Sequence, residues 1–156
     1  MKFDHEKLDV YQVTLSFLSW VTPVIANVRT VAGSTCEVRN QLDRASLSIL
    51  LNIAEGNGKR QGRSRACFFD DARGSVTECA ACLDAMVAKG FLESSSVQDG
   101  KEMLVRVASM LTKLVDRFSG GQSVREEGGS YSVAIEDEYE DDDEYEGKFV
   151  VSGESS

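Results

Sequence analysis

Histidine is nearly missing: the 156 residues hold one, His5. Zinc sites need about four Cys, His or carboxylate ligands, so a chain with one histidine near its start has little to build them from. Cysteine is scarce too. Cys36, Cys67, Cys79 and Cys82 fall in stretches of helical periodicity rather than in the loop-rich setting of a disulfide scaffold, which predicts reduced thiols. Cys79-Ala-Ala-Cys82 has CxxC spacing, but no second pair accompanies it, and small soft residues on a helix explain it without a metal or any cofactor. Long apolar runs are also lacking. No stretch approaches the roughly 20 apolar residues of a membrane span, and no basic segment followed by an apolar run opens the chain. The expectation is a cytoplasmic protein with no membrane partner.

A catalytic constellation is missing as well. Ser48 and Ser75 with Glu55 and Glu78 offer nucleophile and base chemistry, yet no histidine, nucleophile elbow or glycine-rich phosphate loop surrounds them. The chain therefore reads as non-enzymatic, with no catalytic residues. Asn52, Glu55, Ser75 and Glu78, joined by Arg73, read as a structural polar network that sets which helix faces which.

What is present divides in two. Residues 1–120 carry 15 Lys+Arg against 14 Asp+Glu, a balance of +1, whereas residues 121–156 carry 2 against 12, a balance of −10. Nine of the eleven residues from Glu136 to Glu146 are acidic, and like charges at that density cannot pack a core. The predicted organisation is a folded domain over 1–120 and a disordered acidic tail over 121–156, with Tyr139, Tyr145 and Phe149 among its scattered apolar points.

Within the first 120 residues, apolar positions recur at three- and four-residue steps. Gln41 to Lys59 is the central stretch: Val38, Leu42, Ala45, Ile49 and Ile53 form a core stripe, predicting a helix from about Thr35 to Gly56, opened by a Ser34/Glu37 capping box. Gln41, Ser48, Asn52 and Glu55 make a polar row beside the stripe, which calls for partners. An earlier helix, about Lys7 to Val31, has Leu8, Tyr11, Leu15, Leu18 and Ile25 on one side and Val10, Val13, Phe17, Trp20, Val24 and Val28 on nearly the other. That arc is about twice the usual width and implies two neighbours. Pro23 predicts a kink or restart.

A third helix is predicted at about Arg65 to Lys89, capped by Ser64 and stopped by Gly90. Phe69, Ala72, Val76, Cys79, Leu83 and Met86 form its core face, and Gly74, Ala81 and Ala85 a second, small-residue face. The fourth, about Val97 to Phe118 with Ser95 or Ser96 as cap, has a heptad-like series with a gap at Gly100. Four helices with short turns predict an all-α, up-down-up-down four-helix bundle. The second faces, Val13, Phe17 and Trp20 with Gly74, Ala81 and Ala85, are the expected oligomer interface.

Lys59, Arg60, Arg63 and Arg65 form the one basic concentration, with no acid between Glu55 and Asp70. Clustered Arg and Lys favour phosphate, since neutralising it releases counterions. Arg44 and Arg73 join them as candidate nucleic-acid-binding residues. Four charges bind weakly in one copy, and repetition around an oligomer multiplies them.

The run Gln41-Leu-Asp-Arg-Ala-Ser-Leu-Ser-Ile, Asn52-Ile-Ala-Glu-Gly56 and then Gly74-Ser75 with Glu78 resembles the bacterial four helix bundle protein family, over about Phe3 to Phe118. That family was first noticed as reading frames within intervening sequences of large-subunit ribosomal RNA genes, and it includes the accessory variability protein of diversity-generating retroelements. The resemblance implies a homopentameric ring with a basic surface and, in the retroelement branch, binding of reverse transcriptase and of RNA or DNA. Two departures stand out. Leu50 occupies a position where the family often has proline, and the acidic tail lies outside the resemblance, where it would compete with nucleic acid for the basic turn. The competing reading is a protein-interaction scaffold whose tail recruits a basic partner without nucleic acid.

Overall fold

The computed structural model describes residues 1–28 and 35–120, with only the backbone of 35 and 36. The Ser34/Glu37 capping box, the Cys36 side chain and the acidic tail therefore fall wholly or partly outside the described residues. Four α-helices follow a short 3-10 turn at His5–Lys7: α1 Asp9–Asn27, α2 Thr35–Gly58, α3 Gly62–Ala88 and, after a second 3-10 turn at Ser94–Val97, α4 Gln98–Phe118. Each helix packs on the next, and α4 closes back on α1. Successive helices run antiparallel: Ser48 of α2 meets Ser75 of α3, and the start of α3 at Gly62 lies against the carbonyl of Phe118 at the end of α4. The all-α, up-down-up-down four-helix bundle expected from periodicity is the fold. Among the described residues, no helix is long and apolar enough to cross a membrane.

The stripes read from the sequence are the core. Leu42, Ile49 and Ile53 of α2, Phe69, Ala72, Cys79, Leu83 and Met86 of α3, and Leu104, Val107 and Leu111 of α4 are buried in one cluster. From α1 the buried set is Val10, Thr14, Phe17 and Val21. Its flanking residues Leu8, Tyr11, Val13, Trp20 and Ile25 are half-buried against the same cluster, because α1 lies between α2 and α4. The two neighbours implied by the wide arc of α1 are thus helices of the same chain. Phe17 is 0 % exposed within a single copy, so it is a core residue and has no surface to offer another.

The helix termini correct several expectations. α1 continues through Pro23 without restarting, and ends at Asn27. α2 passes through Gly56 to Gly58. Gly56 is in the helix because a Cβ there would sit 3.0 Å from the Cβ of Phe68 and 3.1 Å from Cε1 of Phe69; the missing side chain lets α2 and α3 converge. Ser64 lies inside α3, whose N-cap is Gln61 with no side-chain cap bond. Ser95 and Ser96 fall in the 3-10 turn, and Val97 precedes α4. Gly90 does stop α3: at φ 72° it allows the Phe91 amide to donate to the Met86 carbonyl (2.9 Å) and its own to Val87 (2.9 Å), the double bond of a Schellman closure.

Gly100 was a gap in the heptad series, and the structure fills it. A Cβ there would lie 2.8 Å from Cε3 of Trp20 and nearer still to Cζ3 and Cη2. Gly100 is the seat for the indole, which stacks on Phe17 at 5.8 Å. Trp20 is consequently half-buried against the core of its own chain.

Candidate functional site

The up-down topology brings the end of α2, the start of α3, the end of α4 and the N-terminal turn to one end of the bundle. Most of the cations singled out by the sequence meet there. The connection is short, Lys59-Arg60-Gln61, and it is fixed by a residue from the next helix. Arg65 donates from Nε to the Lys59 carbonyl (2.7 Å) and from Nη2 to the Asn57 carbonyl (2.7 Å), closing the last turn of α2. Its guanidinium also lies over the Phe118 ring at 5.0 Å, pinning the turn to α4. Sequence reasoning counted Arg65 as a phosphate ligand; the structure uses it as a cap.

Removing that cap is costly. Arg65→Ala leaves two carbonyls to water and loses the stacking on Phe118, so a loss of about 1–2 kcal/mol is expected in urea unfolding. Arg65→Lys recovers little of it, because an ammonium cannot fork to two carbonyls in the guanidinium plane.

The remaining cations face outward. Lys59 pairs with Glu55 at 3.0 Å and sits 4.7 Å over the Phe68 ring. Arg60 and Arg63 are exposed and make no hydrogen bond or ion pair among the described residues. Arg63 shares an open groove with Cys67, Asp70, Arg73, Phe118 and Ser119, where Arg73 is held by Asp70 at 2.8 Å. Arg44 does not belong to this end. It bonds Gln41 Oε1 at 2.6 Å among Glu37, Asn40 and Asp43, and it lies fifteen residues before Lys59, about 22 Å along the helix axis. Two contributors were missed. Arg117, over Phe118 at 5.6 Å, and the Phe3–His5 turn, which lines a groove with Asn57, Lys59 and Arg60, both stand at this end. The expected topology alone would have placed them there.

The polar network proves to be separate pieces. Ser75 donates to the Asp71 carbonyl (3.1 Å), which leaves Ser48 to donate to Ser75 (2.9 Å) and Asn52 to donate to Ser48 (3.1 Å). Gln41 bonds Glu78 across the same seam at 3.3 Å. Glu55 instead joins Lys59, and Arg73 joins Asp70 within α3. Of the polar row of α2, Gln41 and Ser48 find partners on α3 of the same chain, while Asn52 bonds Ser48 and Glu55 bonds Lys59. Each serine in the seam is committed to a structural bond, and neither bonds a carboxylate or histidine among the described residues. Cys79 is buried on the core face, and burial, then Cys82 and Glu78, push its thiol up to about 12; burial and Glu78 raise Cys82 also. Thiols so shifted stay protonated near neutral pH and are poor nucleophiles and poor metal ligands.

Residues 6–113 match the family described as 23S rRNA-intervening sequence protein. The chain belongs to that family. No curated protein matches it. The match takes in α1, α2, the basic turn and α3, and stops inside α4 before Arg117 and Phe118. The basic turn is thus within the family's span, while the last turn of α4 and the acidic tail are outside it.

Proposed function

We propose that this protein is a non-enzymatic, homo-oligomeric helical bundle that binds nucleic acid, free or carried in a nucleoprotein such as a reverse transcriptase complex, through the basic end described above. The observation that carries this reading is the pair Arg60 and Arg63, exposed and without an ionic partner among the described residues, at the same end of the bundle as Lys59 and Arg117. Arginine left unpaired at a rigid turn is suited to phosphate, which it meets with two parallel hydrogen bonds. The start of α3 adds to this, since Gln61 gives no side-chain cap and the first amides of a helix favour anions.

Association of copies fits the small-residue side of α3, where Gly74 and Ala81 are exposed and Ala85 half-buried, and the outward Leu47 and Leu51 of α2, at 49 % and 57 % exposure. Assembly matters because about three phosphate contacts per copy bind weakly and gain through repetition.

The test is charge reversal. Lys59→Glu/Arg60→Glu/Arg63→Glu is expected to abolish retention of RNA and DNA in filter binding at low salt, while it keeps the helical circular-dichroism signal and the light-scattering mass of the unaltered protein. Undiminished retention by a folded triple variant would show that the basic end is not the binding surface.

A further inference from the structure

The groove between the N-terminal turn and the α2–α3 connection is lined by aromatic side chains from the first and basic ones from the second. Phe3 is 76 % exposed, so a face of its ring is open to a ligand. Its ring lies nearly parallel to that of His5, with centroids 5.7 Å apart and planes at 12°, and His5 sits edge-on to Tyr11 at 4.9 Å. Tyr11 is half-buried against the core, so the stack is anchored at its inner end and open at its outer one.

The backbone around the stack is tied down. Glu6 accepts from the Phe3 amide at 2.5 Å, the Glu6 amide donates to the Phe3 carbonyl at 3.2 Å, and Gln12 donates to the Glu6 carbonyl at 2.8 Å. Asn57, Gly58, Lys59, Arg60 and Arg65 line the same groove. A Cβ built on Gly58 would meet nothing within 4 Å, so the chain there is open to approach. Asp4 also lines the groove, and Lys7 holds its carboxylate at 2.8 Å.

We infer that this groove takes an unpaired base on the Phe3–His5 stack with its phosphates on Lys59 and Arg60, so that the partner is single-stranded nucleic acid. This rests on the nucleic-acid reading given above. An aromatic face can be used only by a base that has left its own stack, because a duplex presents phosphates and base edges while its base faces are covered. Cations beside rings, without side chains aimed at particular base edges, match sequence-tolerant binding of single strands.

The experiment compares Phe3→Ala, Phe3→Trp and Arg60→Gln/Arg63→Gln in the full chain, by fluorescence anisotropy with labelled oligouridylate, oligothymidylate and a hairpin duplex of similar length. Phe3→Ala is expected to weaken binding of both single strands by about tenfold with an unchanged salt slope, to leave the duplex alone, and to be rescued by Phe3→Trp. The arginine variant is expected to weaken all three probes and to flatten the salt slope. If Phe3→Ala binds single strands as the unaltered protein does, or loses single strand and duplex equally, the stacking inference fails. It fails alone if the arginine variant still shows its loss, and together with the nucleic-acid reading if no probe binds at low salt.

Discussion

Gly100→Ala is expected to destabilise the bundle by about 2 kcal/mol and to lower its thermal midpoint by roughly 10 °C. Alanine is ordinarily the better helix residue, by up to about 1 kcal/mol, so propensity alone predicts the opposite sign. Sterics reverse it. The added methyl would enter the six-membered ring of Trp20, which cannot flex like an aliphatic chain and is backed by Phe17, itself fully buried. Overpacking a fixed ring costs typically about 1–3 kcal/mol, occasionally more, and this contact is severe. Pairing Gly100→Ala with Trp20→Leu provides the control. Trp20→Leu alone destabilises by vacating the seat, and the double variant is expected to lose less than the two single losses combined, because the methyl then occupies vacated space. Strict additivity in urea unfolding would show that Trp20 and Gly100 do not share the contact.

Deleting residues 121–156 is expected to strengthen nucleic-acid binding about tenfold or more at low salt, with the gain shrinking toward physiological ionic strength. The deletion changes the formal net charge from −9 to +1. The chain leaves the described bundle after Gly120, two residues past Phe118, whose carbonyl abuts Gly62 at the basic turn. An acidic segment of −10 therefore joins the chain at the end that carries Arg60 and Arg63, and the proposed binding predicts that it competes with phosphate for them. Because the Debye length is only about 10 Å at 0.1 M salt, the advantage of removing the tail is largest in dilute buffer. Equal affinities for the full and shortened chains across that range would show that the tail has no part in binding.

The bundle was legible because helix burial leaves a period. The stripes through Leu42, Ile49 and Ile53, and through Phe69, Leu83 and Met86, are the buried residues, since apolar side chains at steps of three and four have only one side of a helix to occupy. The helix starts were less legible. Ser64 and Ser96 look like caps by residue type, but Arg65 tightens the α2–α3 turn so that α3 begins at Gly62, and Ser96 bonds the Glu93 carbonyl within a 3-10 turn. Gly100 read as a gap because periodicity registers which side chains are present and is blind to a space kept for a ring from another helix. The wide arc of α1 suggested a neighbouring copy, since one helix's pattern does not say whether its second neighbour belongs to the same chain. Within the candidate site the cluster Lys59, Arg60 and Arg63 was visible as a run of charge. The role of Arg65 was not, because a cap and a phosphate ligand have the same residue type and differ only in where the guanidinium lies.

The proposed binding of nucleic acid at the basic end of the bundle runs through phosphate. It is tested most directly by the salt dependence of single-strand binding by residues 1–120, measured between about 50 and 200 mM monovalent salt and compared with Arg60→Gln/Arg63→Gln in the same fragment. The claim predicts a linear fall of log K with log salt, with a slope of about −2 to −3 per bound copy that loses between one and two of its magnitude in the double variant. Affinity that does not vary with salt, or a slope the double variant leaves unchanged, would contradict it.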